Sequence, residues 1–542
     1  MNVRATLAQV LANPSLRRLQ LAWLIGIAAE KAYLVALLVY AYEVGDVLAV
    51  GVFTLLASLP SAVFGPILSS VFESFRPARV LLGLHLGRAA VVGLAAAAIA
   101  LDLGFGLLVA AAIIEGILTR QHTAFTRALL PALARTPDEL IAGNAVTSLG
   151  EAAGSLVGPA VAGALLVVGG PVLGLEVTAL AYLVAALLVL TLHVATVARP
   201  AAESVMATLR DTLGGFGALV SHPSAGLLVS LFISQVVVRG ALTVLLVSAA
   251  FDLLGIGQSG VGYLNAAIGA GGLVGALLAM SVLVGRRLSV SFVVSLATWG
   301  APIAIIGLVP NPALAFAMAG LIGAANASID VAGYTLLARC VPNEVRGRVF
   351  GVLQSMVGFG IALGAVLAPI LVELVGLQAA LVITGLVLPV LALAGYPGVR
   401  RAEGAAVLPE RELAAMRRMP MFAPLPLTAL ELMARSLVPV SLGTGERVIT
   451  QGEPGDCFYL IESGEVAIIH DGHREATLGP GDGFGEIALL GDRPRTASVD
   501  VTKPLVGYRL PREAFLEALT GSPSSQVAAG ELASQRLAEL QH

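Results

Sequence analysis

Up to about residue 396 the chain is a succession of twelve apolar runs, each about as long as the roughly 20 residues a helix needs to cross a hydrocarbon core. They lie at roughly 20–42, 48–71, 79–101, 104–127, 141–168, 172–194, 225–250, 259–284, 290–308, 313–338, 349–375 and 378–396. In such a solvent every backbone polar group must be satisfied within the segment, so the runs predict helices. Only 12% of the 542 residues are charged, about half the share of a soluble protein. Beyond 396 the runs cease and charge returns. The pattern predicts an all-α polytopic membrane domain followed by a soluble one.

The connections between runs alternate in charge. One set carries Arg: Arg17 and Arg18, Arg76 and Arg79, Arg127 and Arg135, Arg199 and Arg210, Arg286 and Arg287, Arg339, Arg346 and Arg348, then Arg400 and Arg401. The other set has no Lys or Arg and carries acids such as Glu43, Asp46, Asp102 and Asp252. By the positive-inside rule both termini are expected in the cytoplasm, with an even number of spans in the plasma membrane. The first run is too long for a cleavable signal and is followed by many more. Net charge is −3, so no basic field or motif points to nucleic acid. Cys340 and Cys457 form no framework with each other or with His, and no metal site is expected. No nucleophile–base pair or phosphate-cradling loop appears, and the expectation is a protein that is not an enzyme.

The two halves echo each other. Pro137-Asp-Glu-Leu140 follows the fourth run and Pro342-Asn-Glu-Val345 the tenth; each precedes a Gly-rich run, with Gly154, Gly158 and Pro159 in one and Gly360, Gly364 and Pro369 in the other. This six-plus-six plan resembles the major facilitator superfamily. The stretches Thr126–Leu133 with Pro137–Asn144, and Thr335–Gly351, resemble the links after spans four and ten in its drug-exporter-like members. Gly154-x3-Gly158-Pro159-x3-Gly163 is similar to the span-five motif associated with export. The same small residues also suit close helix packing, whatever is carried. The loop after span two departs from the family pattern: Glu73 and Arg79 remain of its gating residues, without the central Gly. The resemblance implies residues 1–194 and 225–396 as the two six-helix halves, joined by a cytoplasmic link at 195–224.

Charge inside a bilayer is costly and marks function by default. The candidates are Glu30 and Lys31, Glu115 and Arg120, Glu151, Arg239 and Asp330. In the superfamily, spans one, four, seven and ten line the central cavity, which makes Glu30, Glu115, Arg239 and Asp330 the expected cavity or coupling residues. A carboxylate in a partly dry cavity can take up and release a proton, as proton-coupled transport requires. The plainer reading is a set of structural ion pairs, which suits Lys31 and Arg120 best. Gln235, Asn265 and Asn326 could add polar contacts.

After a charged linker at 397–419, short alternating runs punctuated by Gly predict a compact β-roll with helices over 420–542. Gln451–Gly464, Phe484–Leu490 and Pro494–Val499 resemble cyclic-nucleotide-binding domains. The resemblance implies that Glu486 takes the ribose 2′-OH and Arg495 the cyclic phosphate, with backbone N–H groups near Gly485, Thr496 and Ala497 completing an anion site. Thr496 could meet a guanine amino group, and the ligand is left as cAMP or cGMP. Residues 523–541 read as a helix that either closes over the base or simply packs. The expectation is therefore a secondary transporter, an exporter of a small molecule, regulated by cytoplasmic cyclic nucleotide and with no other cofactor. Two rivals stay open: a lipid or lysophospholipid flippase with the same regulatory domain, and a membrane nucleotide sensor that no longer transports.

Overall fold

The computed structural model describes residues 9–192, 214–282, 288–405 and 410–520, apart from 74, 215, 218, 342, 420, 423, 424, 426 and 491–493. Most of the expected central link, with Arg199 and Arg210, and the 523–541 tail lie outside the described residues, as do Arg286 and Arg287. The chain forms two compact units. The first runs through Ala406 apart from Thr136–Ile141, and the second takes in the remainder from Val407 onward.

The first unit is helical: α1 (Pro14–Glu73), α2 (Pro77–Ala100), α3 (Phe105–Leu133), α4 (Pro137–Leu190), α5 (Pro223–Ser248) with a π-turn at Ala249–Leu253, α6 (Gly257–Val282), α7 (Leu288–Leu308), α8 (Pro312–Cys340), α9 (Asn343–Val375) and α10 (Leu377–Ala405). Among the described residues nine helices are long and apolar enough to cross a membrane. α3, with Glu115, Arg120 and Arg127, is not among them. The apolar stretches of α1 and α4, 52 and 49 residues, would run about 78 and about 74 Å if continuous, more than twice the hydrocarbon thickness. Each is broken once. Gly45 (φ −160°) precedes Asp46 (φ 51°), and Gly169 (φ −149°) precedes Gly170 (φ 65°), breaking each helix where the sequence leads one apolar run into the next.

Small residues set the helix spacing. A Cβ on Gly364 of α9 would stand 1.9 Å from the Val237 carbonyl of α5, and one on Gly240 of α5 2.2 Å from the Ile361 carbonyl. Gly323 of α8 meets the Ile268 carbonyl of α6 in the same way at 1.9 Å. Gly154 and Gly158 of α4 press on Ile27 and Ala28 of α1, the latter 2.2 Å from a would-be Cβ. These two glycines therefore have a packing role, whatever else they do. α10 continues past the expected end of its run at 396, through Arg400, Arg401 and Glu403 to Ala405. The Glu403 carboxylate accepts from the Leu288 and Ser289 backbone N–H groups and from the Ser289 hydroxyl, capping α7. Tyr42 stacks on Phe251 at 4.6 Å and donates to Asp252, and Gln258 donates to Glu43, so acid-bearing connections of the two halves touch.

The second unit contains α11 (Glu410–Arg417), α12 (Leu427–Ser436), α13 (Glu486–Leu490) and α14 (Arg512–Thr520) around one six-stranded antiparallel sheet. Its strands are β1 (Val438–Leu442), β2 (Arg447–Ile449), β3 (Cys457–His470), β4 (His473–Leu478), β5 (Gly483–Phe484) and β6 (Ser498–Pro511). The order is β1-β6-β3-β4, with β2 on β6 and β5 on β3. β3 and β6, 14 residues each, form the spine from Cys457–Pro511 to Ile469–Ser498. Period-two alternation splits the apolar residues between two cores. Ile449, Ile461, Val466, Phe484, Val499 and Val501 fill the roll. Phe458, Leu510, Phe422 and Phe515 seat the helices, with Phe458 stacked on Phe515 at 5.1 Å.

Candidate functional site

The second unit holds a cavity of about 220 Å³, lined by the segment Phe484–Ala488, by Arg495, Thr496 and Ala497, and by Ile449, Ile468, Glu475, Ala476, Leu478 and Val499. All five residues expected to bind the nucleotide are therefore brought to one surface. Their delivery is local. The β5 strand stops at Gly485, whose positive φ of 94° turns the chain into α13 with Glu486 as its first residue. Arg495 lies just before β6, and its backbone is tied to the loop after β2: Arg495 N–H donates to the Glu453 carbonyl at 2.8 Å, and Gly452 N–H to the Arg495 carbonyl at 2.9 Å.

Glu486 and Arg495 are both buried, at 1% and 4% exposure, and buried charges of this kind require partners. Arg495 Nη1 donates to the Gly485 carbonyl at 3.0 Å, while Nη2 donates to the Cys457 carbonyl at 2.8 Å and to Asp456 Oδ1 at 2.9 Å. Three of the five guanidinium N–H groups are thereby engaged, and the planar fork is held in one orientation against the cavity wall. Asp456 was not singled out in the sequence. Burial pulls its carboxyl upward, but the hydrogen bond and charge of Arg495 outweigh that and hold it below the ordinary range. The adjacent Cys457 thiol is pushed up, first by burial and then by Asp456. His470 Nδ1 lies 2.8 Å from the Thr496 carbonyl and fixes the chain just beyond Arg495. The result is an oriented cation in the wall of a cavity whose lining is otherwise largely apolar, an arrangement suited to an anion that also carries apolar surface.

The intramembrane candidates form two groups. In the first unit's N-terminal half, Arg88 of α2 is completely buried. Its Nη2 lies 2.6 Å from Glu115 Oε1 and 3.6 Å from Glu30 Oε2, and its guanidinium sits 4.4 Å from the centre of the Tyr182 ring. Glu115 also accepts from the Thr119 and Tyr182 hydroxyls, at 2.9 and 3.2 Å. Glu30 pairs with Lys31 at 2.7 Å. Glu115, expected at the cavity, is thus a buried member of an ion cluster. Two histidines adjoin it, also wholly buried: His85 and His122 meet edge to face at 4.9 Å, and Trp23 stacks on His122 at 5.0 Å. Arg88, His85 and His122 were missed in the sequence, although the rule that flagged Glu30 applies equally to a charge in the middle of the third run.

The second group lies in the C-terminal half. Arg239 of α5 donates to Asn326 Oδ1, Asn326 donates to Asp330 Oδ2 at 3.0 Å, and Gln235 approaches Asn326 at 3.4 Å. All these are partly or fully buried. Glu151 of α4 is exposed. Asn265 instead bonds the Val261 carbonyl of its own helix. Arg120 packs beside Gly65 and Gly358. Of the expected gating loop, Arg79 is exposed in the first turn of α2, and the Glu73 side chain lies outside the described residues. No group of three or more His, Cys, Asp or Glu with metal-binding geometry occurs among the described residues.

The sequence matches the Cyclic nucleotide-binding domain over residues 439–522 and the Major Facilitator Superfamily over residues 227–445. It is 45% identical over 85 residues to a cAMP-dependent protein kinase regulatory subunit of Yarrowia lipolytica, covering 16% of this chain and 23% of that one. It is 42% identical over 84 residues to the same subunit of Emericella nidulans, covering 15% and 20%. It is 43% identical over 86 residues to a cGMP-dependent protein kinase of Toxoplasma gondii, covering 16% and 9%. The chain thus spans less than a quarter of the length of these relatives. Among solved structures it is similar to the regulatory domain of Toxoplasma gondii PKA crystallised with cAMP, at 28% identity over 20% of this chain and 44% of that one, with a TM-score of 0.20. The sensor domain of the transcriptional regulator DNR from Pseudomonas aeruginosa is similar at 24% identity over 24% and 90%, with a TM-score of 0.22.

Proposed function

We propose that this chain, which carries a Major Facilitator Superfamily domain and a C-terminal cyclic nucleotide-binding domain, is a secondary transporter whose activity is set by a cyclic nucleotide. It is a multi-pass membrane protein, and transporter domains of this kind move small molecules rather than catalyse bond chemistry. With α1 and α4 each crossing twice and α3 crossing once, the helices supply the twelve spans of the superfamily plan. The halves are then 1–194 and 225–396, the central link 195–224, and the segment 397–419 leads to the nucleotide-binding domain at 420–542. The Arg-bearing connections favour a plasma-membrane protein with both termini in the cytoplasm, and the span-five motif favours export.

The observation that carries the regulatory half is the presence of buried Arg495 and buried Glu486 together in the lining of one cavity. In this reading Arg495 meets the cyclic phosphate and Glu486 the ribose 2′-OH, with the backbone at Gly485, Thr496 and Ala497 around the phosphate. The names of the similar kinases support cAMP or cGMP as the ligand. Glu30, Arg239 and Asp330 serve substrate or proton, with Glu115 holding Arg88 in place. Bound nucleotide would bias the transporter only through a difference in affinity between its states.

The test is a thermal-stability and flux measurement on the purified full-length protein. cAMP or cGMP, but not 5′-AMP, is expected to raise the unfolding temperature, because a ligand of the folded state stabilises it by mass action. In proteoliposomes the same nucleotides, added on the side of the C-terminus, are expected to change the rate of substrate exchange. No stabilisation and no change in flux with either nucleotide would overturn the reading.

A further inference from the structure

Two successive carbonyls in the segment that leads from Arg495 into β6 are tied back, one by backbone and one by a side chain. The Arg495 carbonyl accepts from Gly452 N–H at 2.9 Å. The Thr496 carbonyl has His470 Nδ1 at 2.8 Å, and because a carbonyl only accepts, Nδ1 carries the proton. No cis peptide occurs among the described residues, so each anchored carbonyl turns the N–H of its own peptide unit to the opposite side of the chain. Those N–H groups belong to Thr496 and Ala497, which both line the cavity, and neither finds an acceptor among the described residues. Ala497 is 8% exposed, and a buried N–H left unpaired is costly and rare. His470 ends β3 and is not among the residues that line the cavity. Its place is set by a two-residue turn, Asp471 (φ 47°) and Gly472 (φ 85°), across which it pairs with His473. The turn is clipped to the loop after β2: Gln451 Nε2 donates to Asp471 Oδ1 at 2.8 Å, and Asp471 N–H donates to Gln451 Oε1 at 3.1 Å. Gln451 adjoins Gly452, so both anchors belong to one tied frame.

We propose that His470 is a positioning residue of the nucleotide site: without lining the cavity, its imidazole aims the Ala497 N–H at an oxygen of the bound phosphate. The inference rests on the nucleotide reading of the cavity and adds the side chain that presets one of its backbone donors. The Gly452 anchor is backbone and survives substitution, whereas the second anchor depends on which side chain ends β3. A residue there that cannot donate would free the peptide between Thr496 and Ala497 to rotate, and each ligand would have to order it again. A preset donor binds an anion more tightly than a mobile one, because binding then orders nothing new. The Arg495 guanidinium is held by Gly485, Cys457 and Asp456 and does not depend on His470. Loss of His470 therefore weakens one contact with the phosphate and leaves the cation in place.

The test is calorimetry on the full-length protein in detergent with cAMP and cGMP, and then with the two diastereomeric cyclic phosphorothioates of the tighter binder. In these, sulfur, a weaker acceptor, replaces one or the other exocyclic oxygen. His470→Val keeps a good strand residue and removes the donor. It is expected to lower nucleotide affinity about three- to ten-fold, the worth of one hydrogen bond. His470→Asn places an amide where Nδ1 stood and is expected to return affinity to within about two-fold of the wild type. For the diastereomer whose sulfur faces the Ala497 N–H, His470→Val is expected to cost less than about two-fold, because the bond it perturbs is already weak; for the other it costs the full factor. Thermal unfolding without nucleotide shows whether each variant is folded. If His470→Val does not fold, Gln451→Met replaces it, since it unclips the turn and leaves the imidazole in place; it is expected to lower nucleotide affinity about two- to three-fold. Unchanged affinity in the variant that folds, or an equal loss for the nucleotide and both diastereomers, overturns the proposal while leaving the nucleotide site intact. Failure of the wild type to bind cAMP or cGMP overturns the nucleotide reading itself.

Discussion

The guanidinium of Arg495 occupies the space that a side chain at residue 485 would need. A Cβ built on Gly485 would lie 2.6 Å from Arg495 Nη1 and 3.0 Å from the Cys457 carbonyl. The same glycine has a φ of 94° and supplies the carbonyl that holds Nη1 at 3.0 Å. The turn that delivers Glu486 and the seat of the cation are therefore one structural element.

Gly485→Ala tests that element without removing a charge. The left-handed backbone alone costs a non-glycine residue about 1–2 kcal/mol, and the added methyl displaces Arg495. We expect a loss of about ten-fold or more in nucleotide affinity, read by calorimetry on the full-length protein. Unchanged affinity would mean that the guanidinium position does not matter to binding.

Removing the cation itself should cost more. For Arg495→Ala the expected loss is about 2–5 kcal/mol, typical of deleting one member of a desolvated charge pair. Glu486→Gln should cost less, because it weakens a bond to a neutral hydroxyl. The order of the two variants in a binding isotherm checks the assignment of phosphate and ribose to their residues.

Asp456 gives a pH signature. Its carboxyl is held below the ordinary range in the folded state, against an unfolded value of about 3.9. A depressed carboxylate contributes stability above the unfolded value, and that contribution is lost as pH falls through the folded one. The stability gap between wild type and Asp456→Asn should therefore be constant from about pH 5 to pH 8 and close below about pH 4. Chemical denaturation across that range is the measurement, and a gap that widened in acid would contradict it. The effect should be small, because the Asp456 side chain is 72% exposed.

Arg88 should be the most sensitive charge in the membrane unit. With its side chain at 0% exposure and Glu115 at 5%, Arg88→Met leaves Glu115 buried without its principal cation. Breaking such a pair costs about 3–5 kcal/mol, and the double variant Arg88→Met with Glu115→Gln should recover part of it. Thermal unfolding in detergent would show this; equal losses in single and double variants would exclude a coupled pair.

Asp330→Asn and Glu30→Gln address transport. Both are expected to reduce coupled flux in proteoliposomes and to flatten its pH dependence while leaving expression near normal. Normal flux with an unchanged pH profile in both variants would make these acids structural.

Much of this was legible in the chain itself, for reasons that differ by residue. Glu486 and Arg495 could be singled out because they stand in motifs that resemble a known family, and both line one cavity. The breaks at Gly45–Asp46 and Gly169–Gly170 fall between apolar runs that the sequence separates with Gly. His470 was not readable as a partner of Thr496, because the two meet only through the pairing of β3 with β6. Asp456 was hidden for a similar reason: its partner is 39 residues away, and only the fold brings them together. Arg88 and its histidines were available as charges within an apolar run, but their cluster draws on four helices, α1 to α4, and no single helix suggests it.

The cap that Glu403 places on α7 has a mechanical consequence. The last turns of α10 are not a loose end: Glu403 grips the start of α7, and the Cys340 thiol at the end of α8 lies 3.7 Å from the Ala402 carbonyl. Unwinding the end of α10 would uncap α7 and release the contact with α8 as well, so the ends of three helices hold or fray together.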